Sequence, residues 1–97
     1  MSDERDPLTV LASMRASIDA VDHALVNLLA ERRTLVAALL EYKHHVGLPL
    51  VDRAREEHLL GERAAFADAR GVPTELALSV FRAILAQSHE DANQGHT

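Results

Sequence analysis

With 97 residues, 47% of them hydrophobic but only 3% aromatic, the chain has the size of one domain with an aliphatic core. Its formal net charge of −5 argues against nucleic acid as a partner, because binding phosphates requires a basic surface. The lack of cysteine excludes disulfides and thiolate chemistry, and the sequence offers neither a secretory signal nor the roughly 18 apolar residues of a membrane span, so we expect a cytoplasmic protein.

The first predicted helix is long and carries a single apolar stripe. Apolar residues recur at spacings of three and four, and neither proline nor glycine interrupts residues 8–46. This pattern predicts one helix from about Pro7 or Leu8 to about His45, and the segment GLP at 47–49 ends it. The apolar members of the stripe are Leu11, Met14, Ile18, Val21, Leu25, Leu28, Leu35 or Val36, and Leu39.

A second helix is predicted from about Arg53 to about Arg70. Asp52 is placed to cap its N-terminus and Gly71 to stop its C-terminus. Its inner side is expected to contain Leu59, Leu60, Arg63, Phe66 and Ala67.

A third helix is predicted over about 74–91, and no segment alternates with the period of two that a strand requires. We therefore expect an all-α fold of one long and two shorter helices. It forms a single domain over 1–97, with a core at about 8–91 and flexible ends at 1–7 and 92–97. The inner side of the third helix comprises Ala77, Phe81, Ile84, Leu85 and Ser88.

The length of the first helix predicts a homodimer. About 37 helical residues span roughly 55 Å, whereas a compact domain of this size is about 35 Å across. One end of the helix must therefore extend beyond its own chain, with its apolar stripe still uncovered. Two long helices that pack antiparallel or interlock solve this most simply. The alternative is an extended coiled coil. It is disfavoured because Arg32 interrupts the apolar stripe and because the positions that flank the stripe lack a regular pattern of opposite charges.

Two cations interrupt the apolar stripe. Arg32 and Lys43 are eleven residues apart, which places them about 20° apart around the helix and about 16 Å apart along it. Their long side chains can converge on one object above Val36 and Leu39. Because an unpaired buried cation is costly, the sequence requires an anion there, either a protein carboxylate or a bound ligand.

The two shorter helices also offer inward polar groups. Asp52 lies at a helix start, Arg55, Glu56 and Leu59 share one side of the helix that follows, and Ser88 lies in the stripe of the third helix. A few placed polar groups within apolar walls are typical of a small-molecule site.

Arg15 lies at the edge of the same stripe, seventeen residues and about 25 Å before Arg32, so both can serve one small ligand only if Arg15 comes from a partner chain. Structural alternatives stay open: Arg15 can pair with Asp19, Arg32 with Glu56, and Lys43 can reach solvent at the helix end.

No metal or cofactor is expected. The adjacent His44 and His45 diverge by about 100° around the helix, and no acidic or thiol partner has the spacing of a metal site.

Five segments, taken together and in this order, resemble the all-helical (type II) chorismate mutases. They are L-x-x-x-R-x-x-I-D, E-R, Y-K, D-x-x-R-E and FRAILAQS, and the resemblance covers about residues 8–90. It implies three helices per chain in an intertwined homodimer with two active sites, each borrowing an arginine from the partner. It also implies the rearrangement of chorismate to prephenate for phenylalanine and tyrosine biosynthesis, with a small dianionic substrate and without a cofactor.

The resemblance assigns roles to the three cations. Arg15 of the partner subunit and Arg32 would hold the two carboxylates of the substrate. Lys43 would reach a carboxylate and donate to the ether oxygen.

The resemblance also assigns roles to the other polar groups. Glu56 would accept a hydrogen bond from the ring hydroxyl, helped by the backbone at Asp52, and Arg55 would support the carboxylate side with Ser88 nearby. Apolar walls would come from Leu39, Leu59 and Leu85.

Two positions depart from the family pattern. Ala92 stands where Gln or Glu usually supplies a second donor to the ether oxygen, and His89 stands where an apolar wall residue is common. Gln94 is about 120° from Ser88 around the helix and is a poor substitute. The alternatives are therefore a related enzyme, either a 4-amino-4-deoxychorismate mutase or an isochorismate pyruvate-lyase, or a non-catalytic helical dimer that docks onto a shikimate-pathway enzyme.

Overall fold

The computed structural model describes residues 6–95, and over this range the chain forms three α-helices and no strand. Helix α1 spans Pro7–Val46, α2 spans Arg53–Ala69 and α3 spans Thr74–Gly95. The prediction of one long and two shorter helices is confirmed. The chain divides within α1 into an N-terminal unit that ends at Leu35 and a C-terminal unit that begins at Val36. None of the described helices has both the length and the apolarity to cross a bilayer.

Helix α1 begins with a side-chain cap. The Asp6 carboxylate accepts hydrogen bonds from the backbone N–H of Leu8 at 3.1 Å and from the Thr9 hydroxyl at 2.7 Å. The Thr9 hydrogen bond, and then the Leu8 one, lower the pKa of Asp6 below its usual 3.8. The cap therefore stabilises the helix start above the ordinary pKa and is lost as the pH falls through the lowered value.

The apolar stripe of the N-terminal unit is exposed on the single chain. Its large side chains are between 41% and 65% exposed. A continuous apolar face of this kind is typical of a surface that packs against another molecule. Its members are Leu11, Met14, Ile18, Val21, Leu25, Leu28 and Leu35.

In the C-terminal unit, the inward face of α1 differs from the prediction by one position. Leu40 is buried at 8% exposure, whereas Leu39, which was predicted to lie in the stripe, is 50% exposed. Residues chosen at alternating spacings of three and four rotate by about 20° around a straight helix for every seven residues. Over the length of α1 this rotation adds up to about one residue position, which accounts for the shift. Val36 and Lys43 flank Leu40 on this inward face, and both are partly buried.

Helices α2 and α3 form a helical hairpin around a short turn. Helix α2 starts at Asp52, whose side chain accepts from the Arg55 N–H at 3.0 Å, and this predicted N-cap is confirmed. After α2, Gly71 has a φ of +75°, and the N–H of Val72 donates to the Ala67 carbonyl at 2.8 Å, which closes a Schellman-type end. The predicted stop at Gly71 is therefore confirmed.

The hairpin has an aliphatic interior, and one predicted core residue lies outside it. Leu59, Ala67 and Ala77 are each at most 8% exposed. Phe66 was predicted to lie on the inner side of α2 but is 59% exposed, and the Arg70 guanidinium lies 5.9 Å from its ring centroid. Phe66 lies at the edge of the inner face of α2, where its ring contacts the Arg70 cation instead of being buried.

Helix α3 runs four residues beyond its predicted end at 91. The Gln87 amide donates to the Asp91 carboxylate at 3.0 Å across one turn, and Ala92 is buried at 4% exposure. The helix therefore includes residues 92–95, and flexibility of this end stays a prediction. The other two residues of the tail, His96 and Thr97, lie outside the described residues.

Two glycines on the hairpin allow a matched stability test. Gly61 lies within α2 and Gly71 follows it, and at both sites an added Cβ would meet no atom within 4 Å. We expect Gly61→Ala to raise the free energy of unfolding by about 0.5–1 kcal/mol, because alanine favours a helix. We expect Gly71→Ala to lower it by about 1 kcal/mol, because its positive φ disfavours a Cβ.

Urea denaturation of both variants at one fixed protein concentration measures the two effects. Equal shifts of the same sign would contradict the assignment of Gly71 as the left-handed end of α2.

Candidate active site

An open depression of about 330 Å³ lies where α1 ends and α2 begins. Its volume falls at the lower end of the range for small-molecule pockets. It brings together two of the predicted site residues, Lys43 and Asp52. The lining residues are Lys43, Leu48, Pro49, Val51, Asp52 and Arg53.

The local sequence explains how Lys43 reaches this depression. Gly47 has a φ of +77°, and the N–H of Leu48 donates to the Lys43 carbonyl at 2.9 Å, so the chain turns sharply after the last turn of α1. Lys43 lies in that last turn and is partly buried. A cation near a helix C-terminus is favoured by the helix dipole, which offsets part of the cost of its burial.

The start of α2 supplies the predicted acidic and basic pair. Arg55 and Glu56 lie in its first turn, behind the Asp52 cap, and the N–H of Glu56 donates to the Asp52 carbonyl at 3.0 Å. Arg55 is exposed, whereas Glu56 is partly buried. The Asp52 carboxylate is used as the cap, so only its backbone remains for the supporting role that the resemblance implies.

Glu56 contacts a residue that sequence reasoning did not connect to it. Its Oε2 lies 2.6 Å from Nε2 of His89 on α3. The side chains are 21% and 36% exposed, respectively, so solvent screens the contact only in part. The hairpin register could have predicted the pair, because Glu56 and His89 lie sixteen and seventeen residues from Val72 in the turn. Arg63 and Phe81, whose guanidinium and ring lie 5.9 Å apart, follow the same register at nine residues each.

Ser88 and Ala92 lie on the inward face of α3. The Ser88 hydroxyl donates to the Ile84 carbonyl at 3.1 Å and is partly buried, so its oxygen can accept but its hydrogen is already used. Because α3 continues to Gly95, Ala92 stays in helical register one turn after Ser88. Its methyl group offers no hydrogen bond at this position.

The remaining two predicted residues belong to the N-terminal unit. Arg15 is exposed and Arg32 is partly buried, and both lie on α1. Seventeen residues of helix separate them by about 25 Å, so the single chain does not bring them together.

Among residues 6–95, no group of three or more histidine or acidic side chains could hold a metal ion.

The family model for chorismate mutase type II matches residues 14–91, so the chain belongs to the type II chorismate mutase family. The matched region contains every predicted site residue and ends one residue before Ala92. No solved structure is significantly similar to the chain.

Named relatives agree with this family. The chain is 41% identical over 83 residues to the T-protein of Enterobacter agglomerans and 32% identical over 87 residues to that of Haemophilus influenzae. These alignments include 86% and 90% of this chain, but only 22% and 23% of the relatives, so the chain spans less than a quarter of their length. It is 27% identical over 75 residues to the chorismate mutase of Methanocaldococcus jannaschii, which covers 77% of this chain and 76% of that protein.

Proposed function

We propose that this chain is a chorismate mutase domain that rearranges chorismate to prephenate in phenylalanine and tyrosine biosynthesis. The observation that carries the proposal is the family match over 14–91, which includes every inward polar residue that the helix pattern singles out. The archaeal relative of similar length, which is named a chorismate mutase, supports the same activity for an isolated domain. One domain over 1–97 and a cytoplasmic location stay predictions from the sequence.

The chemistry needs only what such a site offers. In this unimolecular rearrangement the ether C–O bond breaks while a C–C bond forms, and no proton or electron is exchanged with the protein. The enzyme must hold a flexible dianion in its compact conformer, which removes most of the entropic barrier. It must also stabilise the negative charge that develops on the ether oxygen as the C–O bond lengthens.

The cations of α1 fit both requirements. Arg32 and Arg15 of the partner subunit would hold the two carboxylates, because a planar guanidinium binds a carboxylate through two parallel hydrogen bonds. Lys43 would donate to the ether oxygen and to a carboxylate. Its partial burial beside the depression strengthens that interaction, because a less polar surrounding screens the charges less than water does.

The helical hairpin would supply the other side of the site. Glu56 would accept from the ring hydroxyl of the substrate, supported by the backbone at Asp52. Arg55 would support the carboxylate side, with the Ser88 oxygen nearby. Glu56 and Ser88 are partly buried, as groups that contact a bound ligand should be.

The active form would be an intertwined homodimer with shared sites. The exposed apolar stripe of the N-terminal unit supplies the surface, and burying it between two chains would contribute roughly 25 cal/mol for each Å² of apolar area removed from water. The 25 Å between Arg15 and Arg32 supplies the second argument, because one small dianion can contact both only if they come from different chains.

Incubation of the purified protein with three related dianions tests the proposed activity. Chorismate, isochorismate and 4-amino-4-deoxychorismate are supplied separately, and each product is identified by chromatography and mass spectrometry. Conversion of chorismate to prephenate is expected. Turnover of one of the other two alone would identify the related enzyme, and turnover of none would favour a docking role.

Two arginine variants test the shared site. Arg15→Ala and Arg32→Ala should each be almost inactive as homodimers, because every site then lacks one carboxylate ligand. In a mixed dimer, one site contains both substitutions and the other contains neither. Mixing the variants should therefore restore one intact site per mixed dimer, measured as the rate of chorismate loss.

Subunit exchange must be verified with differently tagged chains, and Arg70→Ala, outside the proposed site, serves as the control. If verified mixed dimers stay inactive, the two arginines do not act in one site from different chains.

Substitution of Lys43 tests the donor to the ether oxygen. Lys43→Ala should lower kcat by at least about 10²-fold, the scale for removing a group that stabilises developing negative charge. Lys43→Arg should recover only part of the rate, because a planar fork replaces a compact ammonium. Steady-state kinetics with chorismate measures both, and unchanged kcat in Lys43→Ala would rule out this mechanism.

A further inference from the structure

The contact between Glu56 and His89 joins the first turn of α2 to the last part of α3. Nε2 of His89 lies 2.6 Å from Oε2 of Glu56, a distance typical of a hydrogen bond to a charged group. The similar spacing of the two residues from Val72, sixteen and seventeen positions, brings them together in the hairpin. The pair is therefore in place before a ligand arrives.

The contact uses one of the two oxygens of the Glu56 carboxylate and leaves the other for a ligand. An ionised carboxylate can only accept, so the His89 ring nitrogen is the donor in this hydrogen bond. Oε2 is thereby occupied, and among residues 6–95 no group donates to Oε1. Oε1 can therefore accept from a ligand, and the His89 contact fixes the direction in which this oxygen faces.

The neighbours of His89 connect the pair to the candidate site. Ala92 lies one turn after both Ser88 and His89, four positions from Ser88 and three from His89, and Ser88 and His89 are both partly buried. Ala92 is 4% exposed, and its methyl group offers no hydrogen bond, whereas the His89 ring one turn earlier contacts Glu56. The hairpin itself does not depend on the pair, because Leu59, Ala67 and Ala77 form its buried interior closer to the turn.

We propose that His89 is a specificity-determining positioning residue, which holds Glu56 as a fixed acceptor and so selects substrates whose ring substituent can donate a hydrogen bond. This inference rests on the proposed function and extends it to a residue that does not itself contact the substrate. A hydroxyl fulfils the requirement, whereas a methyl ether at the same ring position keeps the oxygen but has no hydrogen to donate. A site built around a buried acceptor discriminates against such an analogue, because the acceptor then stays unpaired.

Three variants and two substrates test the proposal. His89→Leu removes the donor and keeps an apolar side chain of similar size, whereas His89→Gln returns an N–H donor of similar reach. His58→Leu is the matched control, because His58 is an exposed histidine on α2. Values of kcat and KM are measured with chorismate and with its ring O-methyl ether, and helix content and urea midpoints are recorded for every variant.

The expected result is a change in the ratio of the two specificity constants. His89→Leu should lower kcat/KM for chorismate by about 10-fold and change the value for the methyl ether little, because the ether cannot use the acceptor. His89→Gln should restore most of the ratio, and His58→Leu should leave it unchanged.

Equal losses for both substrates in His89→Leu, or no recovery in His89→Gln, would assign the contact to hairpin stability and overturn the proposal. If the unsubstituted protein converts no chorismate, the proposed function itself fails. If it converts chorismate and the ratio is insensitive to His89, only the inference about His89 fails.

Discussion

Removing a cation from water without an anion beside it costs several kcal/mol, which is comparable to the whole stability of a small domain. Arg32 and Lys43 of α1 are both partly buried, so each requires negative charge nearby. Under the proposed function, the carboxylates and the developing ether charge of a dianionic substrate would supply such charge beside both side chains. The same two cations would then contribute to substrate binding and, through Lys43, to rate acceleration.

The need for negative charge beside buried cations also explains why the helices have different roles in the proposed site. In the proposed site, helix α1 would supply the cations, while the α2–α3 hairpin would supply Glu56 as the acceptor, which His89 contacts. The hairpin is set by short-range features, namely the Asp52 cap and the left-handed Gly71, so its polar groups are fixed independently of α1. Fixed local positions of this kind suit a reaction that requires positioning and no chemistry from the protein.

The sequence predicted the features that depend on local rules. The start of α1 at Pro7, the cap at Asp52 and the stop at Gly71 each follow from one residue and its neighbours, and all three are present. The family resemblance could also be recognised from the sequence, because its short motifs occur in the expected order along the chain. The match over residues 14–91 confirms it.

Features that depend on tertiary contacts were predicted less well. The end of α3 was missed because burial of Ala92 holds its last turns, and Phe66 was misplaced because Arg70 covers its ring on the outside. The Glu56–His89 contact joins residues 33 positions apart, and only the register of the hairpin reveals it. The positions of Arg15 and Arg32 relative to a common ligand depend on a second chain and stay predictions.

Sedimentation equilibrium over a wide range of protein concentrations, combined with circular dichroism, tests the central claim most directly. That claim is that the apolar, cation-bearing side of α1 is completed by a second chain and a shared dianion. The account predicts a two-chain species at all usable concentrations and loss of helix content whenever dilution or denaturant separates the chains. A compact monomer that keeps its full helix content would contradict it, because the exposed stripe of α1 would then need no partner and each site would have to function without a borrowed arginine.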